Sequence, residues 1–147
     1  MATNQMAGPR TAGRLNTIVA GVVGAVFIVV GLLGYTVSGD HALAGHTGGQ
    51  LLGLFQVNSL HNMVHIAVGA AMVAAAIAGV RAARAVNLGI GAVYLLLGVV
   101  GLFITGDHPL NVIALNGADN GLHLVIGAAL IGAWSWARRS RRTAPPT

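Results

Sequence analysis

Two histidines, His61 and His65, lie four residues apart in the segment SLHNMVHIAVGA, which continues into a long apolar stretch. Residues at i and i+4 share one helical face, a spacing that brings two imidazoles to one metal ion. The site would be completed by His123 or Asp119, near the start of a second apolar stretch, or by an Asp–His pair from one of the two Gly–Asp–His segments. Imidazole nitrogen is a good ligand for zinc, copper and iron ions. The residue types and their spacing therefore predict a candidate site for a Zn, Cu or Fe ion.

The same side chains also suit three further roles. The first is a hydrogen-bonded network of His, Asn and Asp that joins two parts of the chain and needs no ligand. The second is haem, held between His65 and His123 as axial ligands. The third is an outward-facing site for a quinone, a lipid headgroup or a reaction, although no Ser–His–Asp order or paired-carboxylate pattern points to catalysis. The sequence favours a binding or structural role over an enzyme, with a metal- or haem-dependent electron-transfer protein as the alternative.

Further polar residues surround these histidines in the sequence. Asn58 and Asn116 stand where two helices should begin, and Asn is a favoured helix N-cap. Asn62 and Asn120 each precede a histidine by three residues, which places them on the same helical face as His65 and His123. We predict one outer polar layer that also includes the two Gly–Asp–His segments, with residues Asp40, His41, Asp107 and His108.

Composition places these residues in a membrane protein. Of 147 residues, 55% are hydrophobic and 7% are charged, whereas a soluble domain carries about a quarter charged residues. A helix crosses a bilayer with roughly 20 apolar residues. We therefore predict an all-α membrane protein with four transmembrane helices, Thr17–Val37, Leu60–Val80, Val86–Thr105 and Gly121–Trp136. Deeper in these helices than the histidines there is almost no polar residue, which argues against a channel, proton pump or transporter.

Arginine positions predict the orientation in the membrane. Lysine is absent, and arginines precede the first helix, join the second to the third and follow the fourth, at Arg10, Arg14, Arg81, Arg84, Arg138, Arg139, Arg141 and Arg142. By the positive-inside rule, both termini and the middle connection are cytoplasmic, in a plasma-membrane protein whose two long connections face outward. The net charge of +5 thus reflects topology, and no basic face with stacking aromatics suggests nucleic-acid binding.

The two halves of the chain repeat each other. Gly24–His41, GAVFIVVGLLGYTVSGDH, matches Gly91–His108, GAVYLLLGVVGLFITGDH, at eight of eighteen positions with an offset of 67. Asn58–Ala70 matches Asn116–Ala128 with an offset of 58, so the first outer connection is nine residues longer. We predict two parallel, tandem helical-hairpin repeats, related by a pseudo-two-fold axis along the membrane normal. The outer segments QLLGLFQV and PLNVIAL are predicted to form short interfacial or re-entrant helices.

Small residues predict how these helices pack. Gly24, Gly31 and Gly34 form a stripe on the first helix, and the repeat places the same stripe on the third. Small residues let helix backbones approach closely in lipid. We expect these stripes to pack helix against helix, and Gly- and Ala-rich faces also suit a homo-oligomer or another membrane partner.

The predicted organisation is a single membrane domain. Repeat one covers residues 14–82 and repeat two covers residues 83–139 of one four-helix bundle. Residues 1–13 are predicted to be a disordered cytoplasmic segment and residues 140–147 a disordered basic cytoplasmic tail. The chain has no cysteine, which excludes disulfides and thiolate metal ligands.

Two segments carry a resemblance to a known family. They are SGDH…FQVNSLHNMVHIAVG and TGDHPLNVIALNGADNGLHLVIG, which contain Asn–x–x–His–Asn–x–x–His and Ala–Asp–Asn–x–x–His. From about Leu15 to Arg139 the chain resembles domain-of-unknown-function family 4383, small four-helix membrane proteins common in high-GC Gram-positive bacteria. The resemblance implies an integral membrane protein with no assigned activity. Its motifs map to Asn58, His61, Asn62, His65, Ala118, Asp119, Asn120 and His123.

Overall fold

Four helices form most of the protein in the computed structural model, which describes residues 9–142. In chain order the elements are α1 Pro9–Ser38, β1 Gly49–Leu51, β2 Phe55–Val57, α2 Ser59–Ala78, α3 Val80–Ile104 and α4 Gly117–Arg142. The prediction of four helices is confirmed. The helices α1 and α4 extend further than expected, so residues 9–13 and 140–142 are helical where disorder was predicted. The predicted disorder of residues 1–8 and 143–147 lies outside the described residues.

The bundle is apolar on its surface and partly polar inside. Large apolar side chains on α1 are more than half exposed at Ile18, Val22, Val26, Val29 and Leu32. Asparagines on all four helices are at most 1% exposed instead. Water would disfavour this arrangement, whereas hydrocarbon favours it because lipid tails are as apolar as the exposed side chains. The distribution of side chains therefore indicates a membrane protein.

Three of the described helices are long and apolar enough to cross a bilayer, at Gly13–Ser38, Ser59–Ala78 and Val80–Ile104. The fourth helix, α4, is less apolar because its first two turns contain Asp119, Asn120 and His123 and its end is rich in arginine. Membrane crossing by α4 therefore stays a prediction from the sequence.

Glycines bring α1 against α2 and α3 against α4. A Cβ atom at Gly24 would lie 2.8 Å from the carbonyl oxygen of Gly69, and a Cβ atom at Gly91 would lie 3.1 Å from that of Gly127. These distances are shorter than normal Cβ contacts, so neither site accommodates a side chain without movement. The glycine stripes pack within the chain, as expected, and are not free for a second copy.

Each helix contributes one large side chain to the centre of the bundle. These side chains are Phe27, Met72, Tyr94 and Leu130, each at most 3% exposed. Phe27 and Tyr94 stack with ring centroids 5.2 Å apart. This cluster joins the two helix pairs and lies directly beneath the predicted polar layer.

The two long connections, residues 39–58 and 105–116, lie together at what we call the loop end of the bundle. The first contains an antiparallel hairpin in which Leu51 pairs with Phe55. The second runs beside the first: Gly45 donates from its N–H to the carbonyl of Val112 and accepts from the N–H of Ala114. The Asn58 amide donates to the carbonyls of Gly45 and Val112 at 3.0 and 2.9 Å.

The prediction of short helices in these connections is wrong. QLLGLFQV contributes to the hairpin, and PLNVIAL forms turns and a bridge to the first connection. Positive φ angles at Leu52, Gly53 and Ala114 interrupt any right-handed helical path. The side chain of Asn111 accepts from the N–H of Leu115 and donates to its carbonyl, in place of helical hydrogen bonds.

A single residue joins α2 to α3. Gly79 has φ of +109°, which favours glycine, and its N–H donates to the carbonyl of Ala75. Consequently Arg81 and Arg84 lie in the first turns of α3 and not in a separate connection as predicted. We call this side of the bundle, opposite the loop end, the arginine end.

Two buried asparagines lie near the arginine end, where the sequence was expected to be apolar. Asn87 donates from its amide to the backbone and side-chain oxygens of Asn16, both at 3.1 Å, and Asn16 donates to the carbonyl of Ala133 at 3.0 Å. The three residues join α1, α3 and α4. The sequence offset of 67 pairs Asn16 with Ala83 and Ala20 with Asn87, and both alanines are buried.

Replacing Asn87 with Ala is expected to lower the free energy of unfolding by about 1–2 kcal/mol, since interhelical hydrogen bonds in membranes contribute up to roughly that much. The measurement is unfolding of the purified protein in mixed micelles. Thr17→Ala is the control, because the Thr17 hydroxyl donates only within its own helix, to the carbonyl of Gly13. Equal stability of the Asn87→Ala variant and the unaltered protein would show that this network does not stabilise the bundle.

Candidate metal centre

The structure brings His61, His65 and His123 into one buried cluster at the loop end. Their side chains are 2%, 9% and 5% exposed. Each offers one ring nitrogen to a group of ligand atoms that all lie within 4.8 Å of one another. His61 and His65 come from the first two turns of α2, and His123 comes from the second turn of α4. The i, i+4 spacing on one helix and the matching position on the other therefore converge.

Helix caps fix the depth at which these histidines enter the bundle. The Asn58 side chain accepts a hydrogen bond from the N–H of His61 at 2.9 Å, which caps α2 as predicted. At α4 the cap is reciprocal: Asn116 Oδ1 accepts from the N–H of Asp119, and Asp119 Oδ2 accepts from the N–H of Asn116, both at 3.0 Å. Both helices therefore start at defined residues, and their histidines lie one to two turns inside.

Aromatic rings hold the imidazoles from below. His61 and His65 stack with centroids 4.6 Å apart. Phe27 contacts His65 edge-on at 5.3 Å, and Tyr94 contacts His123 edge-on at 4.9 Å. Because Phe27 and Tyr94 also stack on each other, the cluster rests on a rigid aromatic layer supplied by α1 and α3.

The imidazoles have ring nitrogens without partners. The Nδ1 atoms of His61, His65 and His123 are all buried and make no hydrogen bond in the structure. The backbone of Gln56 and Ile113 lies within reach of the His61 ring, and the backbone of His61 lies within reach of the His65 ring. Metal-binding histidines usually donate from their second ring nitrogen to a carbonyl, a carboxylate or water.

Asp119 lies beside the cluster, but its carboxylate hydrogen-bonds to backbone groups. Its Oδ2 atom accepts from the N–H of Asn116 at 3.0 Å and from the N–H of Gln56 at 3.2 Å. The carboxylate therefore caps α4 and tethers β2 to it. Asp119 precedes the predicted fourth span, and burial raises its pKa to about 6, while the two backbone hydrogen bonds act in the opposite direction.

Residues 17–135 match the family described as Domain of unknown function (DUF4383). The chain belongs to this family. No curated protein and no solved structure matches it. The family match confirms the resemblance seen in the motifs, and it carries no assigned activity.

Two further asparagines of this DUF4383 protein belong to the buried layer. Asn62 donates to the hydroxyl of Ser38 at 2.9 Å and packs over Gly34. Asn120 packs over Gly101 in the same way, and its amide has no hydrogen-bond partner on either side. The sequence placed both residues on the histidine-bearing faces, and both are at most 1% exposed.

The two Gly–Asp–His segments do not join this layer. The structure leaves Asp40, His41, Asp107 and His108 exposed at the surface of the loop end. Asp107 lies 3.8 Å from the exposed His46 instead. The space between the two connections holds Asn111, which donates to the carbonyl of Gly106, and Asn58, which donates to the carbonyls of Gly45 and Val112.

Sequence reasoning missed three side chains of the DUF4383 site. Ser38 ends α1 and binds Asn62, Tyr94 supports His123, and Asn111 orders the second connection. The signal for Asn111 was present, because it is the one polar side chain in PLNVIAL. For Tyr94 no signal existed, since it replaces Phe27 at the equivalent repeat position and reads as an ordinary apolar residue.

Proposed function

We propose that His61, His65 and His123 bind one divalent transition metal ion within the bundle. The observation that supports this best is the group of three buried Nδ1 atoms without partners, on rings whose ligand atoms lie within 4.8 Å. Nitrogens bound to one tetrahedral zinc ion are about 3.3 Å apart, because each Zn–N bond is about 2.0 Å long. In the structure the ligand atoms lie within 4.8 Å and the His61 and His65 rings are stacked, so these rings would have to turn to hold one ion.

Energy favours an occupant for this cluster. A polar atom left unpaired in an apolar environment costs several kcal/mol. Three such atoms at one place are a poor solution for a site that only holds helices together, and leucines would avoid the cost. One ion satisfies all three nitrogens at once. A ligand-free network has less support, because the hydrogen bonds that join the elements at this depth are made by Asn58, Asn62 and Asp119.

Zinc or copper fits these ligands better than haem. Neutral imidazoles suit both ions, and three histidines leave an open fourth position on a tetrahedral ion. The free space beside the rings is about 160 Å³, well below the roughly 300–1,000 Å³ of pockets that hold drug-sized ligands. Asp119 lies one turn before His123, and its ionised carboxylate would offset part of the charge of the ion.

The finer membrane arrangement is part of the same proposal. All four helices cross the membrane, and the two hairpins run in parallel about a pseudo-two-fold axis. Matching contacts support this arrangement, since Gly34 packs on Asn62 and Gly101 on Asn120. The arginine pattern supports a plasma-membrane protein with both termini in the cytoplasm and the loop end outside. In this orientation the metal centre lies near the outer surface.

Cysteine labelling tests the orientation. Cysteines at Ala44 and Leu110, both exposed at the loop end, are expected to react with an impermeant maleimide in intact cells. A cysteine at Ala78, exposed beside Gly79, is expected to react only after the cells are opened. Labelling of Ala78→Cys alone in intact cells would reverse the proposed orientation.

A metal titration tests the proposed function. The purified protein, stripped with a chelator, is expected to bind Zn²⁺ with saturation at one ion per chain in a competition assay with a chromophoric chelator. Surface histidines could also bind metal, so the matched control replaces His41, His46 and His108 with Ala together. This control is expected to keep the single ion. No saturable binding, or its loss in the surface variant, would show that the buried cluster does not bind the ion.

A further inference from the structure

A cavity of about 160 Å³ adjoins the histidine cluster. Its floor contains His65, His123 and Tyr94. Its sides come from α1, α4 and the hairpin and are almost wholly apolar, with Val26, Leu51, Leu52, Val57 and Leu122 among them. The cavity therefore joins two of the three proposed metal ligands to an apolar space.

The size of the cavity restricts what enters it. An engineered cavity of about 150 Å³ with apolar walls binds benzene and stays free of water. This cavity is of the same size, so it accepts one six-membered ring. The stacked pair Phe27 and Tyr94 borders it, and aromatic faces favour contact with a ring.

The position of the cavity indicates the route by which a ligand enters. Val26 on α1 is 51% exposed and Leu122 on α4 is 42% exposed, and both line the cavity. Both side chains also belong to the apolar outer surface of the bundle, which faces lipid. On the loop side Leu51 and Val57 of the hairpin are buried, whereas Leu52, which also lines the cavity, is 83% exposed. The exposed lining side chains on α1 and α4 give the cavity a side that faces hydrocarbon.

The two histidines beside the cavity indicate the chemistry of the ligand. His65 and His123 are at least nine-tenths buried, and each has an unpartnered Nδ1. The cavity is the empty space beside two of the three proposed metal ligands. A ligand with one oxygen donor on its ring that fills the cavity would place that oxygen next to these histidines.

We infer that the metal centre takes an uncharged, lipid-dissolved molecule with a single oxygen-bearing ring, of the phenol or quinol class, which enters between α1 and α4. This inference rests on the proposed metal site and adds to it the class of ligand and the entry route. An alkyl tail on such a ring would remain in the lipid, between Val26 and Leu122.

Cobalt absorption in lipid nanodiscs tests this inference, because the visible spectrum of Co²⁺ changes with its coordination. Co²⁺ is first titrated onto the stripped protein, and failure at this step counts against the metal site itself. 4-Ethylphenol is then expected to change the spectrum with saturation at one molecule per chain. The charged analogue 4-hydroxybenzenesulfonate, which does not enter lipid, is expected to leave it unchanged.

Two variants test the route. Leu122→Trp should fill the opening and weaken the response to 4-ethylphenol at least tenfold while Co²⁺ remains bound. The control is Leu96→Trp, since Leu96 is 62% exposed on α3 and does not line the cavity. With Co²⁺ bound, the inference is overturned by no response to 4-ethylphenol, by an equal response to the sulfonate, or by an equal response in Leu122→Trp.

Discussion

His123→Ala is expected to weaken Zn²⁺ binding by about 100-fold or more. The reason is that the change removes one of three ligands, and the loss of even an outer hydrogen-bond partner of a metal ligand costs 10–100-fold in affinity. His61→Ala and His65→Ala should have effects of similar size. The double change of His65 and His123 should add little, because a site with one remaining histidine no longer binds above background. The measurement is the chelator competition assay on the stripped protein.

Two controls separate a metal site from a structural cluster. His46→Ala removes an exposed histidine beside Asp107 and should leave the affinity unchanged. His65→Gln keeps a hydrogen-bonding side chain, so it should preserve thermal stability if the cluster only holds helices together. In a metal site, His65→Gln should lose the ion and also the stabilisation that Zn²⁺ gives to the unaltered protein. If all three histidines accept Leu with unchanged metal binding and unchanged melting temperature, the cluster has neither role.

The helical part of the site followed from the sequence because helix geometry is periodic. Residues three and four apart share a face, so the positions of His61 and His65 and of Asn120 and His123 could be placed before the structure. The asparagine caps were also predictable, because Asn58 satisfies backbone groups that every helix start exposes.

The connections could not be predicted in the same way. Their path depends on contacts between residues distant in the sequence, such as the bond from Asn58 to Val112. The composition of two apolar segments predicted short helices. Left-handed conformations at Leu52 and Ala114 are incompatible with a right-handed helix at these positions. The Asp107 side chain shows the same limit, because its exposure follows from how the two connections pack.

The buried pair near the arginine end shows a third limit. Asn87 was visible inside an apolar span, but its partner Asn16 lies just before the predicted start of the first helix. Asn16 lies inside the bundle because α1 begins at Pro9, seven residues before it. The sequence indicated almost no polar residue deeper than the histidines, which argued against a transport path. The Asn16–Asn87 pair shows that the deeper part of the bundle is not wholly apolar.

Gly34→Ala is expected to lower the free energy of unfolding by about 1–3 kcal/mol, the usual effect of overpacking. A Cβ atom at Gly34 would overlap the amide of Asn62, which cannot move away without losing its hydrogen bond to Ser38. Gly101→Ala should also destabilise the bundle, because its Cβ would overlap the amide of Asn120, but by less, since that amide has no hydrogen bond to lose. Destabilisation in both halves would support the proposed repeat arrangement. The measurement is unfolding in mixed micelles.

The matched control is Gly132→Ala on α4, where a Cβ atom meets nothing within 4 Å. Alanine is preferred to glycine in a helix by about 0.5–1 kcal/mol, so this variant should be as stable as the unaltered protein or more stable. A double variant provides a second check, because Asn62→Ala removes the amide that the Cβ atom of Gly34→Ala would overlap. The double variant should therefore be more stable than the sum of the two single losses predicts. If Gly34→Ala and Gly132→Ala raise stability alike, the close contact between α1 and α2 at Asn62 is not present in the membrane.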